Sequence, residues 1–285
     1  MLPLHHILLP VDFSERCSAL AGYVRLLATN YKAKVSLLHV AEYVFLGPTG
    51  VGVPPLPIEN PQDRISELQE WLESFAAKHF YGVSTTSVVR QGDPAQEIVD
   101  YANTESVDLI AMPTHGRGIF RRFLLGSITA KVIHDATVPV LTGAHLEAAA
   151  NGDAAIKHVL CGIALDQHSR NTIALAATLA CDMKAKLGIV HAIPAQDARL
   201  AITFGSDWER DLVEMCKARM HELEQDVGTT ADVFVKLGKP SEVIAQLAAA
   251  VHADLVIVGR SGAGGSLHGD AYDVIRHSPC PVLSV

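Results

Sequence analysis

The hydrophobic positions in the first half of the chain follow two alternating spacings. Short apolar runs rich in β-branched residues predict five strands, at residues 7–11, 35–40, 85–90, 107–112 and 138–142. Apolar residues at helical spacing predict four helices between them, at residues 15–30, 61–80, 94–104 and 127–135. Apolar strands that alternate with helices are typical of a parallel sheet covered by helices on both faces.

The same pattern is present twice. The run from Lys32 to His39 aligns without a gap with the run from Lys184 to His191, at an offset of 152 residues. Further matches follow in the same order, with Gly92-Asp93-Pro94 on Gly238-Lys239-Pro240 and Val138-Pro139-Val140-Leu141 on Cys280-Pro281-Val282-Leu283. Matches that follow one another in the same order in both halves indicate a duplication. We therefore predict two domains, residues 1–145 and 155–285, each a doubly wound five-stranded parallel sheet of the Rossmann-like or flavodoxin-like kind.

Composition narrows the class of protein. Of the 285 residues, 49% are hydrophobic and the net charge is −8, so each half can bury a core but lacks the basic face that nucleic-acid binding needs. No apolar run approaches the ~20 residues that span a bilayer, and the N-terminus shows no signal-peptide pattern. The five cysteines are scattered, which is typical of reduced thiols. We expect a cytoplasmic protein that binds neither nucleic acid nor a membrane.

The segment 112–129 joins the fourth predicted strand to the fourth predicted helix and contains Gly116, Gly118 and Gly126. Glycines let backbone N–H groups approach an oxygen-rich ligand closely. A helix that begins at Gly126-Ser127 directs free N–H groups and the positive end of its dipole towards an anion. The segment therefore predicts a phosphate-binding loop.

Asp12 follows the first predicted strand, which flanks the same crevice of a doubly wound sheet. As a ligand-binding residue, it would accept hydrogen bonds from a ribose hydroxyl or a nucleobase amine. As a structural residue, it would cap the helix that begins near Ser14. The phosphate-binding loop on the neighbouring strand favours the ligand-binding interpretation.

The run Pro10-Val11-Asp12-Phe13-Ser14 and a loop close to the form G-x2-G-x9-G-[S/T] resemble the universal stress protein family. The resemblance covers nearly the whole chain as a tandem member. It implies that the loop holds the phosphates of ATP, with Mg²⁺ accompanying the nucleotide, and that Asp12 contacts the adenosine end. It also implies that Val40 lies against the base and that Arg117 screens phosphate charge.

The implied nucleotide-binding residues are Pro10, Val11, Asp12, Val40, Met112, Pro113, His115, Gly116, Arg117, Gly126, Ser127, Ile128 and Thr129. The sequence departs from the family's loop at its first glycine, which is Pro113 here. Proline has no N–H, so a phosphate contact from that amide is lost.

The second half has lost the features of this site. Ala164 stands at the position of Asp12, and the neighbouring Asp166 replaces it only if the register slips. His268 and Gly269 stand at the positions of Gly126 and Ser127, followed by Asp270 in the predicted first helical turn. A carboxylate there repels phosphate. We predict that the second half binds ATP weakly or not at all.

Methionines and histidines form no recognisable metal-binding pattern. Met215 and Met220 fall on the apolar stripe of the helix predicted at 207–227, with Leu212 and Leu223, and are expected to pack in the core. None of the 14 histidines forms a helical pair with zinc-ligand spacing. We expect no metal-binding side chains and no catalytic residue.

These observations predict an ATP-binding universal stress protein that acts in nucleotide-dependent stress signalling or protection. No side chain is evident as a base that activates water, so hydrolysis is expected to be slow or absent, and at most a weak ATPase activity is left open. The two halves are expected to pair through their final strands, with further homodimerisation left open. One alternative is a nucleotide-free interaction module. Another is an adenylyl-transfer enzyme, although the Ser-Gly-Gly-x-Asp-Ser type of loop is missing after the first strand.

Overall fold

The computed structural model describes residues 4–41, 61–114, 125–143, 154–194, 206–260 and 269–285. The elements of the first half lie within two residues of their predicted bounds. They are β1 (His6–Pro10), α1 (Glu15–Tyr31), β2 (Lys34–Ala41), α2 (Pro61–His79), β3 (Thr85–Gln91), α3 (Pro94–Thr104), β4 (Leu109–Pro113), α4 (Ser127–Asp135) and β5 (Val140–Gly143).

The second half repeats this alternation. Its elements are β6 (His158–Ile163), α5 (Ser169–Met183), β7 (Lys186–Ile193), α6 (Ser206–Val227), β8 (Asp232–Leu237), α7 (Pro240–Ala250), β9 (Leu255–Val258), α8 (Gly269–His277) and β10 (Val282–Ser284). None of the helices within the described ranges has the length and hydropathy needed to cross a membrane.

The strands form one ten-stranded sheet in the order β3-β2-β1-β4-β5-β10-β9-β6-β7-β8. Strand pairs within each half are parallel, whereas β5 and β10 pair antiparallel, with Leu141 opposite Leu283. The predicted pairing of the two final strands is therefore present. In each half the chain reverses its direction of winding between the first and fourth strands, which opens a crevice at their carboxyl ends.

Helices cover both faces of the sheet. Successive strand side chains point to opposite faces, so Ile7 and Leu9 lie in the core beneath α1, α2, α5 and α6. Leu8, between them, lies in the core beneath α3, α4, α7 and α8. All three side chains are fully buried.

Met215 is not in the core, so the expectation for this residue is wrong. Its side chain is 63% exposed, whereas Cys216, Met220 and Leu223 are buried. The buried residues follow one another at intervals of four and three along α6, which keeps them on one face. Met215 precedes Cys216 by one residue and so lies about 100° further round the helix.

The duplication is also visible in the backbone. Within the described ranges, the non-glycine residues with positive φ form three pairs at equivalent positions: Phe13 with Leu165, Lys32 with Lys184, and Ser106 with His252. One hydrogen-bond pattern is repeated as well. Asp108 Oδ2 accepts from the first-strand amides of His5 and His6 at 2.7 and 2.9 Å, and Asp254 Oδ2 accepts from Lys157 and His158 at the same distances.

A chain of hydrogen bonds holds β1 against its neighbours. His6 is buried, and its Nδ1 donates to the Glu105 carbonyl at 3.0 Å. That bond leaves Nε2 as the acceptor from Ser36 Oγ at 2.7 Å, and Ser36 Oγ accepts in turn from Tyr101 OH at 3.0 Å. The arrangement with Nε2 as acceptor requires a neutral His6, and it holds β1, the strand that leads to Asp12.

Arg260 fastens the second half to the first. Its guanidinium donates to the carbonyls of Ile133, Ala136 and Val138, at and just beyond the C-terminus of α4. Across the β5–β10 pair, the buried side chain of Thr142 also donates to a carbonyl, that of Val282, at 3.1 Å. A cation at a helix C-terminus is favourable, and the Arg260 guanidinium satisfies carbonyls that have no partner within α4.

We predict that Arg260→Met lowers the free energy of unfolding by about 2 kcal/mol, because carbonyls in a half-buried position lose their donor. Chemical denaturation followed by circular dichroism measures the change. Arg219→Met is the matched control, since Arg219 is exposed and, in the described part of the chain, pairs with Glu222 of its own helix. We expect the control to change stability by less than about 0.5 kcal/mol. Equal effects of the two substitutions would contradict the role of Arg260.

We also predict that stability declines in mild acid. Burial lowers the pKa of His6 despite the opposing effect of its bond to Glu105. A histidine with a lowered folded pKa contributes stability above its unfolded pKa of about 6.5, and this contribution is lost as the pH falls through the folded pKa. The free energy of unfolding should therefore fall between about pH 7.5 and pH 5.

His6→Gln should make this pH dependence less steep, whatever its effect on stability at neutral pH. Part of the slope should remain, because burial also lowers the pKa of His79 and of His191. Denaturation series at several pH values provide the slopes. An unchanged slope in the variant would contradict the requirement for a neutral His6.

Candidate functional site

The candidate site lies at the carboxyl ends of β1, β2 and β4, where a cavity of about 200 Å³ opens in the first half. Eight of the residues implied by the sequence line it: Pro10, Val11, Asp12, Val40, Met112, Pro113, Ile128 and Thr129. Gly126 and Ser127 come directly before Ile128 and Thr129, at the start of α4. His115, Gly116 and Arg117 lie outside the described residues.

Sequence reasoning missed four lining residues, namely Leu38, His39, Pro94 and Ile98. Pro94 and Ile98 belong to the first turns of α3, which follows β3 at the same edge of the sheet. The repeated Gly-x-Pro motif at residues 92–94 marked this helix start. Since carboxyl ends of parallel strands share one edge, that motif was the signal that could have placed α3 beside the crevice.

Asp12 lines the cavity. Its Oδ1 accepts from the Ser14 amide at 3.0 Å, and Oδ2 has no hydrogen-bond partner in the described part of the chain. Helix α1 is capped by Ser14 instead, whose Oγ accepts from the Cys17 amide at 3.1 Å. Capping therefore does not occupy the whole Asp12 carboxylate, and one oxygen is left as an acceptor.

Aromatic packing holds the turn that carries Asp12. Phe13 has φ of 57°, a left-handed conformation that is unfavourable for a bulky side chain. Its ring packs 5.0 Å from the His39 ring and edge-on to Trp71 at 5.9 Å. His39 Nδ1 also donates to the Val11 carbonyl at 2.7 Å. These contacts fix the direction of Asp12 before any ligand arrives.

The N-terminus of α4 is open. Gly126 is its N-cap residue, with extended backbone and no capping side chain, and the amides of Ser127, Ile128 and Thr129 have no acceptor among the described residues. By contrast, a side-chain oxygen of Asp93 caps α3. Free N–H groups at the positive end of a nine-residue helix form an anion-binding position.

Two hydrogen bonds join the start of α4 to the end of β4. Gly126 N donates to the Thr114 carbonyl at 2.8 Å, and Thr129 Oγ1 donates to the Pro113 carbonyl at 3.0 Å. Pro113 therefore still serves the loop through its carbonyl, although it has no amide hydrogen. The helix start is held beside β4, the strand adjacent to β1 and Asp12.

Cys17 lies behind the site but has no reactive form there. Burial, and secondarily the Asp12 carboxylate, raise the pKa of its thiol well above the ordinary value. A thiol nucleophile must be deprotonated, so Cys17 acts as a packing residue.

In the second half, the register has not slipped. Leu165 has φ of 58° and so corresponds to Phe13, which places Ala164 at the position of Asp12 and Asp166 at that of Ser14. Asp166 Oδ1 accepts from the amides of His168 and Ser169 and from Ser169 Oγ at 3.0–3.1 Å. Asp166 therefore bonds to the turn that leads into α5, whose N-cap residue is His168, and it does not replace Asp12.

The start of α8 also matches that of α4. Gly269 is the first residue of α8, as Ser127 is of α4, so the second half has no hydroxyl at this position. Asp270 is the second residue of the helix. That the Asp270 carboxylate disfavours a phosphate in the second half stays a prediction.

Two substitutions separate the structural and ligand-binding interpretations of Asp12. Ser14→Ala removes the cap of α1 and should lower the free energy of unfolding by about 1 kcal/mol. Asp12→Asn keeps an oxygen for the Ser14 amide and should change stability by less than about 0.5 kcal/mol. Thermal and chemical denaturation measure both. A larger loss for Asp12→Asn than for Ser14→Ala would show that Asp12 is chiefly structural.

Comparisons with known proteins agree with this geometry. The sequence model of the universal stress protein family matches residues 3–142 and again residues 155–285. Two universal stress proteins of Methanocaldococcus jannaschii are 32% and 29% identical to the chain; each alignment spans 47% of it, and 79% and 91% of the relative. A universal stress protein structure from Archaeoglobus fulgidus covers 98% of the chain and 95% of its own length, with a TM-score of 0.71 and 23% identity, which shows the shared fold. The chain is thus a member of the universal stress protein family, with two copies of the family's domain in tandem.

Proposed function

We propose that the first half binds ATP and that the protein uses the bound nucleotide in cytoplasmic stress signalling or protection, with slow or no hydrolysis. One observation carries the proposal: Asp12, whose Oδ2 has no hydrogen-bond partner in the described part of the chain, lines the same cavity as Ile128 and Thr129 at the uncapped N-terminus of α4. An open helix start favours phosphate, whereas a carboxylate favours a hydrogen-bond donor. Together these groups suit a ligand with a phosphate end and a donor end.

The charges determine the direction of the nucleotide. Asp12 repels phosphate, so it would accept from a ribose hydroxyl or a base amine at the adenosine end. The phosphates would lie over Ser127, Ile128 and Thr129 at the start of α4. The cavity of about 200 Å³ is below the ~300–1,000 Å³ usual for sites that enclose a whole drug-sized ligand. Its apolar lining, with Val40 among it, suits the base end alone.

Mg²⁺ would accompany the nucleotide. Magnesium in nucleotide sites is held mainly by substrate phosphates and water, with few protein ligands. In the ranges that the structure describes, no three His, Cys, Asp or Glu side chains are grouped as a metal site. A metal brought by the phosphates fits these residues, and it would neutralise phosphate charge near α4.

A nucleotide-free interaction module is the second candidate function. Pro113 favours it, because the amide that the loop's first glycine would supply is missing. A direct measurement of ATP binding distinguishes the two candidate functions.

We predict that Gly126→Asp abolishes ATP binding, measured by isothermal titration in the presence of Mg²⁺. Gly126 has φ of −62° and ψ of 146°, which any residue adopts, and aspartate is a favoured N-cap residue. The variant should therefore fold at least as stably as the wild type. A negative charge roughly 4 Å from a phosphate near the surface should weaken ATP binding by about 100-fold or more.

Gly126→Asn is the matched control, because asparagine has the same shape and also caps helices but carries no charge. It should weaken ATP binding much less than Gly126→Asp does. Equal losses in the two variants would indicate crowding and would count against a phosphate at this helix start. Absence of ATP binding to the folded wild-type protein would favour the interaction module.

A further inference from the structure

The second half has a cavity at the position equivalent to the candidate site of the first half, and it is the larger of the two cavities. It lies at the carboxyl ends of β6, β7 and β9 and has a volume of about 650 Å³, compared with about 200 Å³ in the first half. The larger volume lies within the ~300–1,000 Å³ typical of sites that enclose small molecules. Loss of the nucleotide features has therefore not closed the crevice.

Smaller side chains at four equivalent positions contribute to the difference, and in the second half the cavity also extends to Leu212 and Cys216 of α6. Ala164 replaces Asp12, Ala192 replaces Val40, and Val258 replaces Met112. A fourth change, from Thr129 to Ala271, shortens the wall formed by the last helix. Protein interiors are normally close-packed, so truncated walls leave space unless the backbone collapses into it.

The chemistry of the cavity disfavours an anion. The hydroxyl at the Thr129 position, a possible donor to an anion, has been lost, since Ala271 stands there. The charged carboxylate that does line the cavity, Asp166, would repel a phosphate. The remaining wall is mostly apolar, with Ile163, Ile193, Leu212, Ile244 and Val274 among its residues.

His191 supplies one polar position in this wall. It is 9% exposed, and its Nδ1 lies 3.0 Å from the Ile163 carbonyl, which only accepts hydrogen bonds, so Nδ1 carries the hydrogen. Burial lowers the pKa of His191, which favours the neutral ring. Its Nε2 is then an acceptor, and it has no partner within the described part of the chain.

Two hydroxyls of the wall are already engaged. Thr172 Oγ1 donates to the His168 carbonyl at 3.2 Å, and Ser169 Oγ donates to Asp166 at 3.0 Å. Among the described residues, Ser241 Oγ is the buried side-chain atom without a hydrogen-bond partner, so Nε2 of His191 is reached by solvent. A ligand that excludes solvent from Nε2 must supply a donor in its place, because a buried acceptor without a donor is unfavourable.

We infer that the second-half cavity binds an uncharged, largely apolar small molecule that donates one hydrogen bond to Nε2 of His191. This binding is separate from that of ATP in the first half. The chain would thus carry two sites of different chemistry on two copies of one framework.

The direct test uses 2-naphthol as the probe and 2-methoxynaphthalene as its partner of similar shape without a donor. A phenolic hydroxyl is neutral at about pH 7. Isothermal titration should show saturable binding of 2-naphthol, about 5-fold tighter than that of 2-methoxynaphthalene, because one hydrogen bond separates them. Absence of saturable binding, or equal binding of both probes, would overturn the inference.

Two variants locate the probe. Ala192→Val/Val258→Met installs the residues that the first half carries at these positions, so the backbone is known to accommodate them. It should weaken 2-naphthol binding about 10-fold or more by narrowing the cavity. Binding that does not change in this variant would place the probe elsewhere and overturn the inference.

His191→Asn keeps a donor near the position of Nδ1 and removes Nε2. In this variant 2-naphthol should lose its advantage over 2-methoxynaphthalene, while binding of the latter persists. An advantage that persists would overturn the role of His191. Thermal unfolding checks that each variant folds, and ATP titration of the same variants should match the wild type, which keeps this test separate from that of the proposed function.

Discussion

The antiparallel pairing of β5 with β10 is the interaction on which the arrangement of the two halves depends. Each half ends in a short apolar strand, and such a strand left unpaired would expose backbone donors and acceptors at a hydrophobic edge. Because both strands belong to one chain, their pairing does not depend on protein concentration. Arg260 reinforces this pairing by carrying a cation from the second half to the end of α4 in the first.

This pairing also explains how the halves can differ in chemistry. The fold requires each half to supply its last strand and its helices, but it places few demands on the residues in the crevice. In the first half, the crevice combines a free carboxylate oxygen of Asp12 with the open start of α4. In the second, Asp166 bonds to the turn before α5, and Ala164 and His191 line a larger cavity.

The sequence predicted the elements closely because strand and helix periodicities differ and glycine or proline marks most boundaries. The prediction for Met215 was wrong because a position one residue away from the buried stripe of α6 lies about 100° round the helix from that stripe. Whether Asp12 caps α1 or faces the cavity could not be decided, because both roles suit the same spacing from Ser14. In the structure Ser14 caps α1, and Asp12 accepts from the Ser14 amide through Oδ1 and lines the cavity.

Other features depend on three-dimensional packing that a sequence pattern does not contain. Arg260 contacts carbonyls more than 120 residues away, and no local motif marks such a bond. The cavity volumes also escaped prediction, because they reflect the sum of several small truncations on different strands. The role of His191 also escapes the sequence, because its Nε2 is identified as an acceptor from the direction of its Nδ1 bond.

The most direct measurement is to find where a photoreactive ATP attaches. The whole protein would be irradiated with 8-azido-ATP and Mg²⁺, digested, and the labelled peptides identified by mass spectrometry, with excess ATP as competitor. We expect label that ATP displaces on peptides of the first half that line the crevice, around Val11, Val40 or Met112. Displaceable label on the equivalent peptides of the second half, around Ile163, Ala192 or Val258, would contradict the assignment of one nucleotide site to the first half.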